Sequence, residues 1–146
     1  MAERGAESSG EDLATRVVDA AVPREKPRRI LVVDDDHEVA DGLAEILREY
    51  GHEVFVAHDA AEALERISVL EPDAAIIDIG LAGVSGYELA KRARERRGSE
   101  SIRLIAFTGH SGAAERRLSK EAGFYVHLVK PANIDALLEA VGADSS

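Results

Sequence analysis

The sequence of 146 residues contains no cysteine, no tryptophan and only 4% aromatic residues. The absence of cysteine excludes disulfides, thiolate metal sites and cysteine nucleophiles, and it fits the reducing cytoplasm. No apolar run approaches the roughly 20 residues that cross a bilayer, and the N-terminus lacks the apolar segment of a secretory signal. The formal net charge of −10 argues against general nucleic-acid binding, because phosphate contacts need a basic surface. We therefore expect a cytoplasmic protein without membrane or nucleic-acid partners, whose core is built from aliphatic side chains.

The beginning of the chain differs in composition from the rest. It is rich in Glu, Ser, Gly and Arg, and it ends in a stretch bracketed by Pro23 and Pro27. This composition predicts a mostly disordered tail and linker over 1–27, followed by a single domain over 28–146.

One segment of the tail, 11–22, has the pattern of a short amphipathic helix. Leu13, Val17 and Val18 would lie on one side of it. Isolated helices of this length are marginally stable in water, so the segment is either a transient helix or a docking element.

From residue 28 onward, short apolar runs alternate with longer stretches of helical periodicity. The apolar runs are nearly continuous and mostly β-branched, as expected of strands that are covered on both faces. The predicted strands are 30–33, 54–57, 74–77, 102–107 and 125–129, and the predicted helices are 36–50, 59–70, 85–97, 111–122 and 133–141. The alternation predicts an α/β domain, a doubly wound (βα)5 parallel sheet with helices on both faces.

The helix ends carry their own signals. Asp35 and Glu38 have the spacing of a capping box, and Asp36 has the residue type of an N-cap. Gly51 and Gly123 lie where helices are expected to end.

Polar side chains follow four of the five predicted strands. They are Asp34, Asp35 and Asp36 after the first strand, Asp78 after the third, Thr108 at the end of the fourth and Lys130 after the fifth. Ligands of such sheets bind beyond the carboxyl ends of the strands. Crowded carboxylates raise one another's pKa unless a cation neutralises them, and Mg²⁺ prefers such oxygen ligands. Lys and Thr would bind the oxygens of a phosphoryl group, and Asp78, on the expected central strand, is the candidate nucleophile for an aspartyl phosphate.

These residues resemble the receiver domain of two-component response regulators. The resemblance lies in four motifs and covers essentially all of 28–141. The motifs are ILVVDD at 30–35, IIDIGLAGVSG at 76–86, IAFTG at 105–109 and VHLVKP at 126–131. The resemblance implies a flavodoxin-like sheet with strand order 2-1-3-4-5. The amino-acid sequence of the last segments is most similar to receivers attached to or serving hybrid histidine kinases.

The resemblance implies how the site is divided among its residues. Asp78 would accept a phosphoryl group from the phosphohistidine of a sensor histidine kinase or a histidine phosphotransfer protein. Asp35, Asp78 and the backbone carbonyl of Gly80 would bind Mg²⁺, with Asp34 contributing through a water molecule. Lys130 would pair with the phosphoryl oxygens.

The resemblance also implies a switch. Thr108 would move inward to hydrogen-bond the phosphoryl group, and the fourth helix, fifth strand and fifth helix would form the output face. His127 takes the place of the usual aromatic switch residue, where it would either pack as a ring or make the switch sensitive to pH.

The sequence departs from the family pattern at several positions. Ala82 replaces a frequent Pro, Ser85 and Gly86 replace Asp-Gly, and Ala132 replaces a frequent Phe. These departures loosen the expected coupling between the site and the output face.

We interpret the chain as a single-domain response regulator that catalyses only its own phosphorylation and dephosphorylation. Only five residues follow Val141, so we expect it to signal by protein contact or by onward phosphorelay. The alternative is a receiver excised from a hybrid histidine kinase.

Other classes fit less well. A haloacid-dehalogenase-type phosphohydrolase shares the order of acids, hydroxyl and lysine, but Glu38 stands where its motif has Thr or Val, and Asp78 would have no role. A flavin or dinucleotide domain needs a Gly-rich loop where this chain has three acids. A receiver that is never phosphorylated would not need the complete acidic set. The basic run at 91–97 is interpreted as a solvated helix face, and the five His residues show no metal-ligand spacing.

Overall fold

In the computed structural model, the described part of the chain alternates five strands with five helices. The structure describes residues 27–97, 102–109, 112–131 and 133–142. The strands are β1 (Arg29–Val33), β2 (Glu53–Ala57), β3 (Ala74–Asp78), β4 (Arg103–Thr108) and β5 (Val126–Val129), and the helices are α1 (His37–Glu49), α2 (Ala60–Leu70), α3 (Gly86–Arg97), α4 (Ala113–Ala122) and α5 (Ile134–Gly142). None of these helices is long and apolar enough to cross a bilayer.

The strands form one parallel sheet in the order β2-β1-β3-β4-β5, so the predicted fold and strand order are confirmed. Val33 pairs with Ala57 on one side and with Ile77 on the other. This register brings the carboxyl ends of the strands to a common edge. All five residues of β3 are buried, because the strand lies at the centre of the sheet with helices on both faces.

Two apolar layers pack against the two faces of the sheet. Leu31 and Ile77 contribute to the layer that α2 and α3 cover, and Val32 and Ile76 to the layer that α1 and α5 cover. Their side chains are at most 1% exposed, and full burial of such a side chain stabilises the fold by roughly 1.5–3 kcal/mol. Aliphatic packing therefore fixes the register that positions the strand ends.

The predicted helix bounds are shifted at several N-termini. The first helix was expected from residue 36 and the fourth from residue 111, whereas α1 begins at His37 and α4 at Ala113. The reason is that capping residues lie just outside the helix they cap. The predicted strand ends agree with the observed ones to within one residue.

The prediction of a capping box that begins at Asp35 is wrong. Asp36 is the N-cap of α1, and its carboxylate accepts hydrogen bonds from the N–H groups of Glu38 and Val39. The carboxylate of Asp35 instead accepts one from the N–H of Ala82 at 3.1 Å. An acid that is free of the helix cap is available to the site.

The predicted glycine stops are confirmed. Gly51 follows α1 with φ of 96°, and Gly123 ends α4 with φ of 98°, a conformation that residues with a Cβ rarely adopt. The predicted tail over 1–27 lies outside the described residues, except for Pro27.

Candidate functional site

Three carboxylates meet at the carboxyl edge of the sheet. Asp34 and Asp35 directly follow β1, and Asp78 is the last residue of the neighbouring strand β3. One oxygen of each lies within 4.8 Å of the others. Asp34 and Asp78 are 3% and 8% exposed, whereas Asp35 is exposed. The predicted gathering of these three acids is present.

Lys130, which follows the outermost strand β5, contacts two of these acids. Its Nζ lies 3.1 Å from Asp34 Oδ2 and 3.3 Å from Asp78 Oδ1. Its backbone N–H donates to the carbonyl of Thr108 at 2.7 Å, which fixes the end of β5 beside that of β4. The ammonium therefore partly neutralises a pair of buried carboxylates.

The electrostatics of this pair follow from burial and contact. Burial raises the pKa of Asp34, and the nearby charge of Asp78 adds to this, although hydrogen bonds from the Asp36 N–H and from Lys130 oppose it. Burial lowers the pKa of Lys130, but the hydrogen bond and charge of Asp34, together with Asp78, outweigh it, so the pKa is raised. Lys130 is therefore charged at neutral pH.

Backbone N–H groups orient the carboxylates. The N–H of Asp36 donates to Asp34 Oδ1 at 2.9 Å, and the N–H of Gly80 donates to Asp78 Oδ1 at 3.2 Å. Gly80 thus lies in the turn that follows the phosphoacceptor candidate, and the role of its carbonyl as a metal ligand stays a prediction.

Close packing holds the segment after Asp78 in place. A Cβ on Gly86 would lie 2.7 Å from Ile79 Cα and 2.8 Å from the Asp78 carbonyl oxygen. The N–H of Gly86 also donates to the Ile79 carbonyl. Sequence reasoning treated Gly86 only as a helix start and missed this contact, which only a residue without a side chain allows.

Thr108 and His127 lie on one face of the sheet. Thr108 is buried at the end of β4. The register pairs His127 with Ala106, two residues before Thr108. The His127 Nδ1 lies 2.7 Å from Ser119 Oγ on α4, so His127 links the strand beside Thr108 to the covering helix. Its role in switching stays a prediction.

Sequence reasoning missed a histidine pair next to the acids. The rings of His37 and His58 stack with centroids 3.6 Å apart and planes at 4°. The Nδ1 of His58 lies 3.1 Å from the Asp34 carbonyl oxygen. The available signal was position, because each histidine follows closely after a strand of the sheet.

The donor set fits a hard divalent cation. Its carboxylates contribute only oxygen atoms, and three acids opposed by Lys130 leave a formal charge of −2 (−3 + 1) when all are ionised. Mg²⁺ and Ca²⁺ prefer such ligands. The lysine beside them suits an anionic group that shares the site with the cation.

Comparison with known sequences shows which proteins this chain is similar to. The family model of the response regulator receiver domain matches residues 30–142. The chain is 34% identical over 115 residues to response regulator MprA of Mycobacterium ulcerans, which covers 79% of this chain and 49% of that protein. It is 32% identical to sporulation initiation phosphotransferase F of Bacillus subtilis, over 77% of this chain and 90% of the relative. The chain thus spans about half the length of MprA.

Solved structures show the same fold. A CheY-like receiver domain protein from Methanospirillum hungatei has a TM-score of 0.72 and 34% identity, covering 78% of this chain and 90% of that one. A response regulator from Burkholderia pseudomallei, solved with a phosphorylated aspartic acid, a calcium ion and citrate, has a TM-score of 0.72 and 28% identity, covering 78% and 66%. The chain therefore belongs to the response regulator receiver domain family, whose members are phosphoacceptor signalling domains of two-component systems.

Proposed function

We propose that Asp78 is the phosphoacceptor and that its phosphoryl group comes from a phosphohistidine on a sensor histidine kinase or a histidine phosphotransfer protein. Receiver domains partner with proteins of these two kinds. The observation that carries the assignment is the position of Asp78 at the end of the central strand, with Oδ1 3.3 Å from Lys130 Nζ and a second buried acid beside it. We further propose that the protein acts in the cytoplasm, where such donors present their phosphohistidines.

The two oxygens of Asp78 have different surroundings. Oδ1 accepts hydrogen bonds from the Gly80 N–H and from Lys130, so we assign Oδ2 as the nucleophile. Its lone pair forms a bond to phosphorus while the bond between phosphorus and the donor imidazole breaks. The electron pair of that bond returns to the imidazole nitrogen, which takes up a proton from solvent, and the donor leaves as neutral histidine.

Lys130 binds both reactive partners of this step. Its ammonium already contacts Asp78, and from there it would bind an oxygen of the incoming phosphoryl group. Because its pKa is raised, it keeps its positive charge at the moment when negative charge develops on those oxygens.

The acids also form the cation site of this proposal. Receiver domains bind Mg²⁺ at their acidic pocket, and here Asp35, Asp78 and the Gly80 carbonyl would hold the ion, with Asp34 acting through a water molecule. When bound, the ion supplies positive charge to the phosphoryl oxygens. The chain's own contribution is to hold its carboxylates within reach of one another.

We assign Thr108 to hydrogen-bond the phosphoryl group. Its position supports this, because Lys130 donates its backbone N–H to the Thr108 carbonyl, so both residues lie at one end of the sheet. Movement of Thr108 would reach α4 through His127 and Ser119, which contact each other at 2.7 Å.

The phosphoacceptor is tested by intact-mass measurement after incubation with Mg²⁺ and acetyl phosphate. We expect one added phosphoryl group on the wild type and none on Asp78→Asn. Asp36→Asn is the matched control, because Asp36 caps α1 from an exposed position and Asn caps helices equally well. Equal phosphorylation of wild type and Asp78→Asn would remove Asp78 from its role.

We propose that the phosphorylated chain signals by protein contact or passes its phosphoryl group onward. One relative, of which the chain covers 90%, is named a phosphotransferase, which supports a place in a relay. Phosphotransfer profiling against purified kinases and phosphotransfer proteins tests this. The proposal predicts rapid loss of label from one donor in preference to the others, and uniformly slow transfer from all of them would contradict it.

A further inference from the structure

A groove of about 420 Å³ separates α2 from α3, on the side of the sheet opposite α1. Its floor is apolar and its two rims carry opposite charge. The residues that define it are Leu64, Glu65 and Val69 of α2, Val84 of the preceding loop, and Arg92 and Arg96 of α3. The side chain of Val69 is 74% exposed, the highest value among the exposed large apolar residues of the described chain. The groove thus offers an apolar floor on which Val69 stays largely exposed in the described part of the chain.

The charges on the α3 rim are held along the groove. Arg92 Nε lies 3.2 Å from Glu88 Oε2, and Arg96 Nη1 lies 3.2 Å from Ser68 Oγ across the groove. Both arginines are exposed, so each can donate hydrogen bonds to a further acidic partner. Glu65 on the opposite rim is exposed as well.

The chain enters the fold beside one end of this groove. The Nη1 of Arg29 donates to the Leu70 carbonyl at 2.7 Å, and its backbone N–H donates to Asp73 at 2.8 Å. The start of β1 therefore contacts the C-terminus of α2, next to Val69. Six residues, 23–28, separate β1 from the segment 11–22 and span at most about 20 Å, which is enough to place that segment in the groove.

The sequence of 11–22 matches the groove in apolar pattern. At helical spacing it presents one stripe of small and branched apolar residues, namely Leu13, Ala14, Val17, Val18 and Ala21. Its 12 residues equal the number in α3. A helix this short needs burial of such a stripe to persist.

The segment also matches the groove in charge, and only in the direction that the chain entry allows. Right-handed crossovers place α3 to the right of α2 when the groove faces the viewer and the strands point upward. If residue 22 lies at the entry end, helical geometry turns Glu11 toward the α3 side of the groove, which carries Arg92, and it turns Arg16 toward the α2 side, which carries Glu65. The reverse direction would bring like charges together.

We infer that segment 11–22 docks as a helix in the groove between α2 and α3 of its own chain, with its apolar stripe on Val69 and Leu64. The far end of the docked segment would contact Val84, in the loop between Asp78 and α3. The groove is then an intramolecular docking surface next to the segment that holds the acidic pocket.

Paramagnetic labelling tests this directly. Because the chain has no cysteine, Asp19→Cys carries the only nitroxide in the full-length protein, on the side of the segment away from the stripe. We expect selective broadening of the amide signals of Leu64, Val69 and Arg92, and none at Ile46 on α1. In the labelled protein, Val17→Asp should abolish that broadening, whereas Thr15→Asp, which faces away from the groove, should leave it intact.

A charge exchange tests the direction of docking. Arg16→Glu should weaken the broadening at Val69, and adding Glu65→Arg should restore it. Broadening that is absent, or that survives Val17→Asp, would overturn the inference. So would broadening that appears on an isotope-labelled chain without nitroxide when it is mixed with a nitroxide-labelled chain, because the segment would then bind a second copy.

Discussion

The amino and carboxyl ends of the strands form two edges of the sheet, and these edges hold their charges in opposite ways. At the amino edge, where the strands begin, Arg29 Nε lies 3.2 Å from Glu53 Oε1, and both side chains are about half exposed, at 44% and 57%. The Arg29 N–H also donates to Asp73. At the carboxyl edge, Asp34 and Asp78 are buried and share the ammonium of Lys130.

This difference in burial gives the two edges different effects on the stability of the fold. Exposed ion pairs are screened by water and contribute roughly 0–1 kcal/mol each. Buried acids of like charge raise the free energy of the folded state, because they lose hydration and repel each other. The carboxyl edge therefore carries an electrostatic cost that a bound cation offsets, and the amino edge carries none.

Removal of the lysine should have the largest effect on stability. Lys130→Met leaves Asp34 and Asp78 together without a cation, so we expect the free energy of unfolding to fall by about 2–3 kcal/mol, less than for a fully buried pair because Lys130 is partly exposed. Urea denaturation in the presence of a chelator measures this. Lys91→Met, on the exposed surface of α3, is the control and should change little. Equal losses of unfolding free energy in the two variants would contradict the claim that Lys130 neutralises buried acids at the carboxyl edge.

The backbone at the carboxyl edge should be equally intolerant. Gly86→Ala places a Cβ 2.7 Å from Ile79 Cα, and we expect a loss of about 1–3 kcal/mol as the loop after Asp78 shifts. Gly42→Ala in the middle of α1 is the matched control, because its Cβ meets nothing within 4 Å. It should gain roughly 0.5–1 kcal/mol from helix propensity. Thermal unfolding of both variants gives the comparison, and a stabilised Gly86→Ala protein would refute the close packing.

Most of the fold could be predicted because it depends on local pattern. Continuous β-branched runs fixed the strands to within one residue, and glycines at 51 and 123 fixed two helix ends. The choice between Asp35 and Asp36 as the cap of α1 could not be predicted. Both have the required residue type, and only the contact of Asp35 with Ala82, 47 residues away, decides it.

The site was predictable as far as parallel topology determines it. Strand ends meet at one edge, so the acids and Lys130 could be grouped from their positions alone. The stacking of His37 on His58 and the tight contact at Gly86 depend on how loops pack, and periodicity carries no information on loop packing.

Neutralisation of one acid should stabilise the protein in a way that depends on pH. Burial raises the pKa of Asp34 above 3.8, so the folded protein binds that proton more tightly than the unfolded chain does. Its contribution to stability is therefore complete below pH 3.8 and is lost as the pH rises through the raised pKa. Asp34→Asn avoids that loss and can still accept the hydrogen bond from Asp36.

We accordingly expect Asp34→Asn to be more stable than the wild type at neutral pH, by less than Lys130→Met loses. The two unfolding free energies should converge below pH 3.8. Chemical denaturation in a chelator across this range measures the difference. A variant that is no more stable at neutral pH would show that Lys130 already compensates for the buried charge.

The smallest effect is expected at the amino edge. Glu53→Gln removes the partner of Arg29, but both side chains are about half exposed and Arg29 keeps its bond to the Leu70 carbonyl. We expect a loss below about 1 kcal/mol, which shrinks further at high salt because exposed charges are screened. Urea denaturation at low and high salt measures it. A loss as large as that of Lys130→Met, and insensitive to salt, would mean that charges at the amino edge behave as buried charges do. The contrast between the two edges would then have to come from the sign of their charges and not from burial.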